Sequence, residues 1–219
     1  MNRWTVHVRN FGKIEEASVE VAPLTLLVGD NNSGKSYMMT LIYGLLTMDF
    51  FFGDYKIDEN STAYKNCRKV VEEMIAGEKN IEYCMTADKV KNFEKLINEI
   101  LEKNKGKFLR ELFNKEMYVD QIEIKFPFDA QMNFKISYKE GKESIFGIIA
   151  IPSNMEKMTD VLGYVSNKSD FSDNVYGYKF FVSYIMQSLL QGFVHKREEK
   201  KCLYLPTART GFMLTYKTL

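Results

Sequence analysis

Leu24-Thr25-Leu26-Leu27-Val28 runs directly into Gly29-Asp30-Asn31-Asn32-Ser33-Gly34-Lys35-Ser36. The first five residues read as an apolar run, the pattern of a strand buried on both faces. The next eight match G-x-x-x-x-G-K-[ST] at every fixed position. Glycine at both ends permits backbone conformations and close approaches that a Cβ would block. Successive N–H groups in such a loop curl into an anion-binding nest at a helix N-terminus, where the macrodipole adds favourable charge. Lys35 then reaches the β- and γ-phosphates of a nucleoside triphosphate, and Ser36 offers its hydroxyl to Mg²⁺. The nucleotide-contacting residues predicted from the pattern are Gly29, Asn31, Asn32, Ser33, Gly34, Lys35 and Ser36. Lys35 is the candidate catalytic residue, ATP with Mg²⁺ the expected cofactor pair, and Ser36 the metal ligand.

The flanks supply the context that such a loop needs. Trp4 to Arg9 alternates with period two, as does Ala17 to Val21 after a turn at Phe11-Gly12-Lys13. Beyond the loop, Met38, Leu41, Ile42, Leu45 and Leu46 fall on one face of a helix that frays near Asp49. The opening fifty residues therefore predict β-β-β-loop-α. Further on, residues 50–60 read as loop, and Thr62 to Ile75 and Ala87 to Asn104 as helices. Val90, Phe93, Ile97, Ile100 and Leu101 form an apolar stripe on the second helix, and Phe108 to Phe113 continue the helical run. The period then becomes two through Ile122, Ile124 and Phe126, through Met132, Phe134, Ile136 and Tyr138, and from Ser144 to Ile151. One antiparallel meander is the simplest arrangement for these three segments. A polar loop at Asn167 to Asn174 precedes a helix from about Tyr176 to His195, and Cys202-Leu203-Tyr204-Leu205 is a short strand ended by Pro206. The cluster from Lys196 to Lys201 reads as a solvated connector.

Composition narrows the class. The chain has 219 residues, 45% of them apolar, enough for one sizeable α/β core. Thirty basic and 29 acidic side chains leave a net charge of +1, so bulk electrostatics gives no reason for tight nucleic-acid binding. Cys67, Cys84 and Cys202 are scattered and lack zinc spacing, as expected for reduced thiols in a cytoplasmic protein. Phe180 to Val194, the most apolar late run, carries Ser183, Gln187, Ser188 and Gln191 and reads as a buried or amphipathic helix, not a membrane span.

Arg9-Asn10-Phe11-Gly12-Lys13-Ile14, Ala17-Ser18-Val19-Glu20-Val21 and Leu24 to Ser36 together resemble the opening of ABC-type P-loop ATPases of the SMC, RecF and OLD-like branch. Tyr204-Leu205-Pro206-Thr207-Ala208-Arg209 resembles the strand-Pro-x-x-Arg segment those proteins place before their helical lobe. The resemblance is good over residues 3–48, suggestive over 201–212 and absent between. It implies a P-loop NTPase head with a mixed sheet, an antiparallel β-lobe and a helical insertion. The nucleotide-binding core would be residues 1–49, the insertion 50–200, and the return strand with the start of the helical lobe 201–219. It also implies that Asn10 and Phe11 sit near the base or ribose with Lys13 close by, that Tyr37 joins the nucleotide contacts, and that Arg209 approaches the γ-phosphate or a partner subunit. Phe11 as a core residue at a hairpin turn and Asn10 as a turn residue are the competing readings.

Hydrolysis needs a carboxylate on Mg²⁺ and a group that positions water, usually from a strand ending in Asp-Glu. No such strand is found; Asp49 follows an apolar run but lies on the helix after the loop. Nor is there a Leu-Ser-Gly-Gly-type signature. Leu214, Tyr216 and Leu219 read as the start of an element, which predicts an incomplete head, the N-terminal part or split half of a longer ATPase. Such a chain binds ATP and hydrolyses it poorly by itself. The resemblance further implies a homodimer or a partner ATPase head, an effector such as a nuclease, DNA reached through the complex, and a role in DNA repair or anti-phage defence. Three other classes compete: a nucleotide-gated interaction module, an ABC transporter ATPase subunit, and a small P-loop kinase. The Asn10-Phe11 hairpin and the long 50–200 segment disfavour the transporter, and the kinase lacks a recognisable arginine lid.

Overall fold

The computed structural model describes residues 3–47, 55–76, 81–140, 146–152, 164–165 and 175–191. Strand β1 (Trp4–Phe11) and strand β2 (Ile14–Val21) form an antiparallel hairpin in register from Trp4↔Val21 to Phe11↔Ile14. Alternation explains its placement: Trp4, Val6 and Val8 are buried on one face, whereas Arg9 and Asn10 are exposed. Thr25 closes the turn after β2, its Oγ1 accepting from Ala22 N at 3.1 Å and donating to Ala22 O at 3.2 Å.

Helix α1 (Lys35–Thr47) buries Met38, Leu41, Ile42, Leu45 and Leu46, the stripe expected from its spacing. Helix α2 (Thr62–Ala76) begins where Ser61 Oγ accepts from Tyr64 N at 3.1 Å, an N-cap. After strand β3 (Ile81–Met85), helix α3 (Ala87–Phe113) runs 27 residues without a break, and Asn114 ends it in the left-handed region at φ 51°. The continuation through Phe113 and the buried stripe of Val90, Phe93, Ile97, Ile100 and Leu101 match expectation.

Strand β4 (Gln121–Lys125) corrects the predicted meander. It pairs antiparallel with β1, Val8 facing Ile122 and Val6 facing Ile124, to give the order β2-β1-β4. Its alternation requires one buried face, and the apolar side of β1 supplies it. The outer edge of β4 would leave backbone groups unpaired, but α3 covers it. Asn98 Nδ2 donates to Ile124 O and Asn98 Oδ1 accepts from Ile124 N, both at 2.8 Å, while Glu94 Oε2 accepts from Phe126 N at 2.6 Å. The second sheet takes β3, β5 (Met132–Glu140), β6 (Phe146–Pro152) and β7 (Tyr164–Val165) in that order. Every pairing among the described strands is antiparallel, so the mixed sheet is not seen there.

The largest correction concerns Leu24–Val28. These residues join no ladder among the described strands. Thr25 and Leu27 are half-buried, whereas Leu24, Leu26 and Val28 are 86%, 78% and 81% exposed. One face of the predicted strand lies against the protein and the other faces out.

Helix α4 (Val175–Gln191) brings the late apolar run into the same core as β1 and α1. Trp4 Nε1 donates to Leu190 O at 2.9 Å, and Gln191 Nε2 donates to Leu46 O. No helix among the described residues is long and apolar enough to cross a membrane. Among the described residues Ser183 Oγ is the buried side-chain oxygen with no hydrogen-bond partner. Removing an unsatisfied buried hydroxyl recovers its desolvation cost, so Ser183→Ala raises unfolding free energy by about 1 kcal/mol in urea titrations. A destabilised Ser183→Ala protein would mean that the hydroxyl is bonded in solution.

Candidate nucleotide-binding site

Residues 29–34 form the loop between the extended segment and α1. Three of them have positive φ: Gly29 at 148°, Asn32 at 69° and Gly34 at 89°. Gly34 is required twice over. Its φ disfavours any L side chain, and a Cβ there would lie 2.5 Å from Ile14 Cγ1. Ile14 opens β2, so the hairpin packs directly against the loop. The first helical bond runs from Met38 N to Gly34 O at 3.0 Å, leaving the first-turn N–H groups directed out of the helix end.

Lys35 folds back onto the loop. Its Nζ donates to Gly29 O at 2.8 Å, to Asp30 O and to Ser33 Oγ at 3.1 Å. The bond from Lys35 to Asp30 uses the backbone carbonyl. A cleft of ≈ 460 Å³ opens beside the loop, its lining including Lys13, Ile14, Leu27, Ser33 and Lys35. Positive-φ residues, a lysine that can exchange loop acceptors for phosphate oxygens, and Ser36 beside it fit a triphosphate with magnesium. No group of three or more His, Cys, Asp or Glu side chains that could hold a metal occurs among the described residues.

The hairpin tip places the remaining candidates. Phe11 is fully buried, its ring centroid 6.1 Å from Tyr37 and 5.8 Å from Phe113. It is packed as a core residue at the hairpin tip. Asn10 takes the left-handed region at φ 48°, which suits asparagine, and donates from Nδ2 to Asp120 Oδ2. Tyr118 OH donates to Asp120 Oδ1. These two bonds, that from Tyr118 first, hold the Asp120 carboxyl below the ordinary carboxylate range. Lys105 Nζ adds a bond to Asp120 O at 2.7 Å. Lys13 lines the cleft together with Lys35.

The structure thus gathers Gly29 to Tyr37 with Phe11, Gly12, Lys13 and Ile14. It sets Asn10 against Asp120. Sequence reading missed Phe113, Lys115, Tyr118 and Asp120, which follow or end a helix with no motif spacing to mark them. Asp49, Arg209 and the strand predicted at Cys202–Leu205 lie outside the described residues.

A family profile described as an AAA ATPase domain matches residues 3–206. The chain belongs to this family. Neither the curated proteins nor the solved structures yield a match. Membership in the AAA ATPase domain family carries the P-loop NTPase fold and nucleotide binding, usually with Mg²⁺, and agrees with a loop from Gly29 to Ser36 that opens a helix.

Proposed function

We propose that this chain is the phosphate-gripping half of an ATPase head of the SMC, RecF and OLD-like branch, completed by a separate α/β segment. The observation that carries the reading is the outward face of Leu24, Leu26 and Val28, which no described residue covers. An apolar run that leads into a phosphate loop belongs inside a sheet, with both faces covered. Covering each of those side chains is worth about 1.5–3 kcal/mol, which favours association with a segment that shields them. That segment would also supply what this sequence lacks, the acidic strand end and the signature residues. Gly29 to Ser36 binds the triphosphate of ATP, and Ser36 provides one magnesium ligand. Coupling of the completed head to an effector in DNA repair or anti-phage defence rests on the resemblance of residues 3–48 and 201–212.

The expected result for the purified chain is saturable binding of fluorescent ATP in Mg²⁺ buffer, with ATP turnover at background. Rapid turnover by this chain alone, abolished in Lys35→Ala, would overturn the half-site reading while leaving the phosphate grip in place.

A further inference from the structure

We propose that Tyr37 is a positioning residue for the phosphate grip, fixing the first turn of α1 against the β1–β2 tip and the end of α3. The proposal rests on the reading of Gly29 to Ser36 as the phosphate loop. Tyr37 directly follows Ser36, so whatever holds its ring orients the backbone that carries Lys35 and Ser36.

Three separate segments converge on that ring. From β1, Phe11 stands at a centroid distance of 6.1 Å. At the end of α3, Phe113 meets it edge-on, 5.7 Å away at 81°. Phe11 and Phe113 also pack edge-on with each other at 5.8 Å, which closes a ring of three. From the residues after α3, Lys115 Nζ lies 5.3 Å over the Tyr37 face and donates to its hydroxyl at 3.4 Å.

The fourth contact fixes distance. Gly12 sits at the hairpin tip with φ +62°, and a Cβ there would lie 2.9 Å from Tyr37 Cδ2. The tip and the ring therefore approach as closely as a bare Cα allows. Together with the Ile14 contact to Gly34, this seats the hairpin on both the loop and the turn that follows it. Binding groups must be held to within about 0.5 Å of their working positions. A rigid aromatic wedge one residue from Ser36 provides that tolerance; a flexible aliphatic side chain would not.

The test compares Tyr37→Leu with Tyr37→Phe, reading fluorescent-ATP affinity in Mg²⁺ and in EDTA beside the thermal midpoint. Leucine keeps apolar bulk and loses the ring. The expected result is about tenfold weaker Mg²⁺–ATP binding for Tyr37→Leu, with a smaller gain from Mg²⁺, and near wild-type affinity for Tyr37→Phe. A folded Tyr37→Leu protein with unchanged affinity would overturn the proposal, as would a Tyr37→Phe protein that loses as much as Tyr37→Leu. Should Tyr37→Leu fail to fold, Gly12→Ala pushes the same ring from the opposite side. Weakened Mg²⁺–ATP binding in a folded Gly12→Ala protein supports the proposal, and unchanged binding overturns it. A wild-type chain that binds no ATP removes the phosphate-loop reading itself, and the proposal with it.

Discussion

Lys35→Ala is expected to weaken Mg²⁺–ATP binding by about a hundredfold while leaving the melting temperature nearly unchanged. Each charge-assisted hydrogen bond from Lys35 to a phosphate oxygen contributes about 1.5–3 kcal/mol, and a hundredfold change corresponds to about 2.8 kcal/mol. The three groups that Lys35 contacts, Gly29 O, Asp30 O and Ser33 Oγ, are in an exposed loop. Water takes over those acceptors when the ammonium is removed, so folding loses little. The separation of the two readouts gives the experiment its force. Titration calorimetry with ATP, beside a thermal melt of each protein, checks it. Wild-type affinity in a folded Lys35→Ala protein would remove the lysine from the grip. Lys35→Arg should rescue poorly, because a planar fork cannot replace a compact point charge among loop carbonyls.

The parts legible in the sequence share one property: their signal is local. The loop from Gly29 to Ser36, the stripe Met38–Leu41–Ile42–Leu45–Leu46 and the stripe along α3 are each set by residues within a few turns of one another. Partner choice is not local. Ile122 and Ile124 announce a strand with one buried face, but nothing in them says that the face belongs beside Val6 and Val8, more than a hundred residues earlier. Strand β3 has five residues, Ile81-Glu82-Tyr83-Cys84-Met85, and its pairing with β5 comes from tertiary context, with no strong periodic signal of its own. Leu24–Val28 is the instructive case. Its composition asks for two covered faces, while the described residues cover one. Sequence pattern reports what a segment needs, and the described residues supply part of it. The difference between them motivates the proposal of a completing segment. Within the site, Phe11 was ambiguous because a buried aromatic and a base-contacting aromatic look alike in sequence. The structure adds that Tyr37 and Phe113 pack around it.

Trp4→Ala should cost about 3–5 kcal/mol of stability, a large share of the 5–15 kcal/mol that holds a typical domain together. Trp4 is 1% exposed, and its indole closes the junction of β1 with the last turn of α4. Its Nε1 donates to Leu190 O at 2.9 Å, a buried hydrogen bond that ties β1 to α4. Gln191 Nε2 donates to Leu46 O and so links the same helix to α1. Alanine therefore leaves a cavity and removes a buried hydrogen bond, and both losses lower stability. Trp4→Phe separates them: most of the ring volume returns, the donor does not, and the expected loss falls to about 1–2 kcal/mol. Urea titrations followed by far-ultraviolet circular dichroism measure both. The phosphate loop is a control within the same molecule. Lys35 begins α1, Leu46 lies near its far end, and 13 residues of helix span about 20 Å between those ends. ATP affinity of the folded Trp4→Phe protein should consequently match wild type. A Trp4→Phe protein that keeps its stability but loses ATP binding would place the tryptophan in the nucleotide site instead of the core.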